Sequence, residues 1–89
     1  MRTIHKYTLQ QHGAAIVPMP KGSQILHIGN QCDAIQLWAM VDPSQPLESR
    51  RIVVAFTGEQ IEAAGNLNHL GTFISSGGNF VAHVFEDLS

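Results

Sequence analysis

The sequence predicts a small all-β domain, an antiparallel sandwich or partly open barrel of about six or seven short strands. Short runs of β-branched and aromatic residues alternate with clusters of Gly, Pro, Asn, Asp and Ser. No stretch repeats its apolar residues with the period of about 3.6 that marks an amphipathic helix. The chain of 89 residues is long enough for one domain only. We therefore expect a single β domain over residues 1–89.

The first half of the chain predicts four strands. Residues 3–9 predict a strand, with residues 3, 5, 7 and 9 on one face and residues 4, 6 and 8 on the other. Residues 14–19 predict a strand that Pro18 and Pro20 confine to a sheet edge or to the end of a strand, because proline cannot donate a ladder hydrogen bond. A turn leads to a third strand over residues 24–29, and a hairpin loop is expected over 29–33. The run from 34 to 41 is apolar on both faces and predicts a central strand covered on both sides.

The second half of the chain begins with a predicted surface loop over residues 42–49, which contains two prolines. A strand is expected over residues 51–57. The segment 59–64 is the one place where the sequence allows a short helical turn, and Gly65 would end it. Helix is otherwise not expected.

The last two strands are predicted over residues 70–75 and 80–86. A Gly-Gly-Asn turn joins them, since these residues tolerate positive φ. The first strand, ending in Leu9, and the last, ending in Phe85, are expected to be sheet edges without a central proline to block pairing. With 44% hydrophobic and 13% charged residues, so small a chain has more apolar surface than its core can hide. We therefore expect a homodimer.

Charge and cysteine content exclude several classes of protein. The formal net charge is −2, and no dense basic patch of the kind that nucleic-acid binders carry is visible. Cys32 is the only cysteine, so an intrachain disulfide and a cysteine-built zinc site are excluded. The chain shows neither a signal peptide nor an apolar run long enough to cross a bilayer. We expect a cytoplasmic protein that contacts neither membrane nor nucleic acid.

The titratable residues predict no catalytic centre, no metal site and no cofactor. Five histidines, at positions 5, 12, 27, 69 and 83, lack the short spacing of a metal motif. Whether His5, His27 and His83 converge depends on strand order, which the sequence leaves open. Cys32 adjoins Asp33, which disfavours the thiolate that a nucleophile needs. The protein is therefore expected not to be an enzyme.

The candidate binding residues are Lys6, Trp38, Arg50 and Arg51. The two arginines, with Arg2 and Lys6, would form a small basic patch suited to bidentate contacts with phosphate. The simpler interpretation of the arginines is a solvated strand end. Trp38 lies in the most apolar strand and is expected in the core; if exposed, it becomes the anchor of an interface.

Seven short segments occur in an order that resembles a family of short uncharacterised proteins of bacteriophages and prophages. The segments are IHKY at 4–7, PKG at 20–22, ILH at 25–27, LWA at 37–39, VDP at 41–43, LGT at 70–72 and HVFE at 83–86. The resemblance covers essentially the whole chain, with a weaker match at residues 13–15 and 59–68. It implies a phage or mobile-element context, and for a phage protein the compartment would be the host cytoplasm. It implies no particular activity.

Three functional hypotheses follow. The first is a non-catalytic phage-type binding protein that acts by protein–protein contact, such as inhibition of a host defence protein. The second is a homo-oligomer that holds a nucleotide or other small anionic ligand between subunits. The third, a small enzyme built on scattered histidines, ranks last because the sequence contains no recognisable catalytic set.

Overall fold

The computed structural model describes residues 1–10, 12–61, 65–75 and 77–88 and contains seven β-strands. The strands are β1 (Thr3–Leu9), β2 (Gly13–Pro20), β3 (Gln24–Gln31), β4 (Ala34–Val41), β5 (Leu47–Phe56), β6 (Leu67–Ile74) and β7 (Val81–Asp87). No helix occurs among the described residues. The predicted all-β class is therefore confirmed. Residues 59–61 of the expected helical turn are not helical, and residues 62–64 lie outside the described part.

The strands form two separate sheets and not a closed barrel. One sheet has three strands in the order β1-β4-β3, and the other has four in the order β2-β5-β7-β6. All neighbouring strands are antiparallel. The sheets pack face to face as a small sandwich, with the core between them.

The core is built from alternate residues of the central strands. Ile35, Leu37, Ala39 and Val41 of β4 are all at most 1% exposed. The opposing sheet contributes Ile52 and Val54 from β5 and Ala82 and Val84 from β7. Successive side chains of a strand point to opposite faces, so every second residue faces the core.

The two flanks of the sandwich differ. On one flank β3 and β6 meet, and a Cβ added to Gly71 would lie only 2.9 Å from the Cβ of Ile28. Glycine at this position therefore allows the edges of the two sheets to approach closely. The other flank, between β1 and β2, is open and contains a groove of about 520 Å³.

Several predicted boundaries were wrong. Strand β3 continues to Gln31, so the hairpin loop expected over residues 29–33 contains only Cys32 and Asp33, with φ of 55° and 58°. Strand β5 begins at Leu47, inside the predicted surface loop, because residues 47–49 pair with the end of β2. Local composition signals neither feature, because the turn has positive φ at two residues that are not glycine and the pairing joins strands that are distant in the chain.

The predicted position of the last strand was also wrong. Strand β7 lies between β5 and β6 and is not a sheet edge. It pairs on both sides, and Ala82 and Val84 are completely buried. Strand β4 is central, as predicted, but its outer face is not covered by another layer. Trp38 and Met40 on that face are only half-buried.

Candidate functional site

Arg50 lies on the inner face of β5 and is part of the structural framework. Its Nη2 donates to Oε1 of Glu86 at 2.9 Å, its Nε donates to the other carboxylate oxygen, and its Nη1 donates to the Ser23 carbonyl at 2.9 Å. These bonds tie the four-stranded sheet to the turn before β3. The side chain of Arg50 is 17% exposed and that of Glu86 is 8% exposed. The hydrogen bonds that Arg50 donates to Glu86 raise the pKa of the Arg50 guanidinium, so its charge is retained and is used within the fold.

Arg51 points to the opposite, outer face of the same strand. Its Nε lies 3.1 Å from Oδ2 of Asp87, and about half of its side chain is exposed. It lines a cleft of about 420 Å³ together with His12 and Glu59, over a floor that includes Val53. We call this the Arg51 cleft.

The two basic side chains of the Arg51 cleft are each paired with a carboxylate. His12 bonds to Glu59, and its ring stacks on Phe56 with the ring centroids 5.2 Å apart. The hydrogen bond from His12, and a second from the Phe56 amide at 3.0 Å, lower the pKa of Glu59. The sequence missed this contact because His12 and Glu59 are 47 residues apart. The cleft is therefore close to neutral and is not strongly cationic.

Arg50, Arg51 and Lys6 do not come together in the basic patch that was expected from them and Arg2. The arginines belong to the four-stranded sheet and point to its two different faces, because they are adjacent in a strand. Lys6 belongs to the three-stranded sheet. Lys6 and Arg51 therefore remain exposed on different sheets.

Lys6 and Trp38, by contrast, are brought together. The register of the three-stranded sheet places Lys6 of β1, Trp38 of β4 and His27 of β3 in one row across its outer face. Ile4 and Met40 form the neighbouring row. We call this surface the Trp38 face, and it consists of Ile4, Lys6, His27, Gln36, Trp38 and Met40.

Gly29 sets the position of the indole ring on the Trp38 face. A Cβ at Gly29 would lie 3.2 Å from Cζ3 of Trp38 and 3.0 Å from Nε2 of His27. Both rings therefore lie low over the glycine backbone, with their centroids 5.9 Å apart. Because glycine has no side chain, both rings can pack against the sheet surface at this position, and the indole remains half-buried.

The polar side chains around Trp38 are held by hydrogen bonds. Lys6 Nζ donates to Gln31 Oε1 at 2.6 Å, and Thr8 Oγ1 donates to Gln36 Oε1 at 2.8 Å. Strands β1, β3 and β4 contain no aspartate or glutamate, and Lys6 is their only residue that is charged at neutral pH apart from any protonated histidine. The Trp38 face is thus an ordered, nearly uncharged surface.

His5, His27 and His83 do not converge. His5 lies on the inward side of β1, where its ring is 6.3 Å from that of Tyr7, and His27 lies on the Trp38 face. His83 is on the outer face of the other sheet, 2.7 Å from Thr57 Oγ1 and 3.2 Å from Thr72 Oγ1. Among the residues that the structure describes, no group of three or more His, Cys, Asp or Glu side chains is placed to hold a metal ion.

Comparison with known proteins yields one match. A family model described as Domain of unknown function (DUF7352) matches residues 1–89. No curated protein and no solved structure matches the chain. In the described residues, no helix is long and apolar enough to span a bilayer.

Proposed function

We propose that this chain, which belongs to the family described as Domain of unknown function (DUF7352), is a non-catalytic protein-binding module. The observation that carries the proposal is the Trp38 face. This surface presents a half-buried indole, supported by hydrogen-bonded neighbours, on the solvent side of a three-stranded sheet. Partner proteins would dock on that side of the sandwich.

The composition of the Trp38 face supports protein contact. The solvent side of an antiparallel sheet usually alternates polar and charged residues with the buried set. Here it carries Trp38, Met40 and Ile4, and Ile4 is 56% exposed. Interface cores are depleted in charged residues, and tryptophan is enriched among the residues that dominate binding energy. Trp38 would be the anchor of the interface.

The charge of the Trp38 face indicates the kind of partner. Lys6 is the one side chain on this face with a permanent charge, and the strands of the sheet contain no carboxylate. A neutral or acidic protein surface therefore fits it better than a basic one. The motif resemblance supports a phage context, in which the partner would be a bacterial host protein, such as a defence protein, met in the host cytoplasm.

Capture from a bacterial lysate, followed by a purified binding measurement, tests this proposal. The W38A variant is expected to lose a partner that the unchanged protein retains, with Kd raised about 30-fold, the effect of a hot-spot residue worth about 2 kcal/mol. The K6E variant should weaken binding by a smaller factor.

The matched control is F85A, which removes a half-buried aromatic ring from the outer face of the other sheet. It should bind like the unchanged protein. Circular dichroism confirms that each variant is folded. A partner that W38A binds as well as the unchanged protein, or the absence of any retained partner, would contradict the proposal.

A second candidate function is binding of a small anionic ligand, such as a nucleotide, by a homo-oligomer. The half-exposed guanidinium of Arg51 in the Arg51 cleft favours it. An anion would have to compete with Asp87 and Glu59 for the basic groups, which ranks this function below protein binding. Calorimetric titration with nucleoside phosphates and with inorganic phosphate tests it: binding that R51A abolishes and W38A retains would favour the ligand site.

A further inference from the structure

The four edge strands of the sandwich are not equally protected against pairing. Strand β2 contains Pro18 and Pro20, which cannot donate ladder hydrogen bonds. Strands β3 and β6 each contain a register shift, between Ile25 and His27 and between His69 and Gly71, and they pack against each other across the closed flank. Prolines, bulges, charged side chains such as lysine, and coverage are the usual means by which proteins block sheet edges.

Among the residues that the structure describes, strand β1 has no proline, no bulge and no covering strand, and Lys6 is its only charged side chain that could oppose pairing. It pairs with β4 through seven consecutive residues without a register shift, and it contains no proline. Its other side pairs with no strand in the described part of the chain. The strand borders the open flank, where the groove of about 520 Å³ runs between β1 and β2, and Ile4 on its outer face is 56% exposed. A regular edge that lacks proline, bulge and cover, beside exposed apolar surface, is the arrangement that a further strand would complete.

We propose that β1 pairs antiparallel with β1 of a second copy of the chain about a two-fold axis, an inference that does not rest on the proposed function. The axis is perpendicular to the sheet, so outward side chains of one copy continue the outward face of the other. The two three-stranded sheets become one sheet of six strands. Such pairing is isologous and closed, since it consumes the free edge of both copies.

The low charge of β1 suits pairing with its own copy, and Lys6 disfavours one register. Lys6 is the only charged residue of the strand apart from any protonated histidine, so a single register, with Lys6 opposite itself, sets like charges directly against each other. Placing the axis at His5 avoids that register. Ile4 then lies opposite the aliphatic part of Lys6 of the other copy and diagonal to the second Ile4. The most exposed apolar side chain of the strand is thereby covered from both copies.

The pairing also changes the Trp38 face. Strand β4 is adjacent to β1 in each copy, so three strand spacings separate the two central strands in the dimer, a distance of about 14 Å. The two Trp38 faces thus lie side by side on one continuous surface. A dimer would present two Trp38 faces on the same side of the sheet, which raises the avidity for a partner that contacts both.

Sedimentation and light scattering at micromolar concentrations test the pairing without any partner protein. The unchanged protein should have twice the chain mass of 9.7 kDa. The I4K variant should dissociate to the single-chain mass, with the dimer Kd raised about tenfold or more, because a lysine would face Lys6 of the other copy. The matched control is I74K on the edge strand β6: Ile74 is 60% exposed, much like Ile4, yet lies on the closed flank. It should remain dimeric.

Disulfide trapping provides the second measurement, and it does not depend on the folding of I4K. With Cys32 replaced by serine, H5C should form an intermolecular disulfide under mild oxidation, because directly opposed residues at the axis bring the two Cα atoms within disulfide range. I74C in the same background should not. A single-chain mass at all concentrations, a dimer that I74K breaks and I4K leaves intact, or cross-linking of I74C and not of H5C would overturn the inference. These measurements of the dimer do not depend on the outcome of the W38A binding experiments.

Discussion

At the scale of single residues, Arg50 and Glu86 perform a structural function that their neighbours Arg51 and Asp87 do not. The pair lies on the inner faces of β5 and β7, where both side chains are mostly buried. We predict that R50A and E86A each lower the free energy of unfolding by about 3 kcal/mol, because each breaks the buried pair, and in E86A the guanidinium keeps only one carboxylate contact, the longer one of 3.7 Å with the more exposed Glu48. Urea unfolding followed by tryptophan fluorescence measures the loss.

The adjacent arginine is the control for that prediction. The pair of Arg51 with Asp87 is on the outer face with the guanidinium half-exposed, so R51A should cost less than about 1 kcal/mol. Replacing both members of the inner pair, as in R50M with E86L, should recover much of the loss, because no unpaired charge remains. If R50A and R51A lowered the free energy of unfolding equally, the buried pair of Arg50 and Glu86 would contribute no more to stability than the pair of Arg51 and Asp87.

At the scale of elements, the β3–β4 hairpin is held by a turn whose residues do not suit its backbone. Cys32 and Asp33 both have positive φ, as the two central residues of a type I′ turn require, and neither is glycine. The combined substitution C32N and D33G supplies the preferred pair for this turn. We predict a gain of about 1 kcal/mol in the free energy of unfolding, since the strain of the left-handed conformation is relieved. The urea midpoint reports it.

The comparison for the turn is C32S, which removes the thiol and retains a side chain at the same φ. Cys32 is exposed, so we expect a change within about 0.5 kcal/mol. If the variant with C32N and D33G were less stable than the unchanged protein, contacts made by Cys32 and Asp33 would outweigh the strain of their backbone. That outcome would contradict the assignment of strain to this turn.

At the scale of the whole molecule, stability is expected to fall in acid. Glu59 and Asp42 both have a pKa below the ordinary values of 4.5 and 3.8, owing to hydrogen bonds from His12 and Ser44 respectively. A carboxyl group with a lowered pKa stabilises the fold above its unfolded pKa, and the contribution disappears as the pH falls through the folded pKa. The urea midpoint should therefore decrease as the pH is lowered from about 5 to about 3.

The E59Q variant isolates one of these contributions. It should be less stable than the unchanged protein at neutral pH, and the difference should shrink as the pH falls, because the protonated carboxyl of the unchanged protein then resembles the amide. Midpoints measured at four or more pH values show the trend. A difference that stays constant with pH would exclude a role for Glu59 ionisation.

Local pattern was sufficient for much of the fold. The apolar run over 34–41 predicted the central strand β4, the prolines predicted a sheet edge or a strand end for β2, which is an edge, and Gly77 and Gly78 predicted the β6–β7 turn, where both have positive φ. Each of these features depends on the residue itself or on its near neighbours, so a sequence reports it directly. The alternation in residues 3–9 likewise placed Ile4 and Lys6 on one face.

The tertiary structure alone decided which strands pair and in which register. Lys6 meets Trp38, and Arg50 meets Glu86, across separations of 32 and 36 residues in the chain. Strand β7 became central and β1 remained an edge for the same reason. Side-chain alternation has a period of two and says which residues share a face, but not which strand lies beside them. The sequence by itself therefore determined the strands and their faces, whereas long-range pairing determined the Trp38 face, the Arg51 cleft and the free edge of β1.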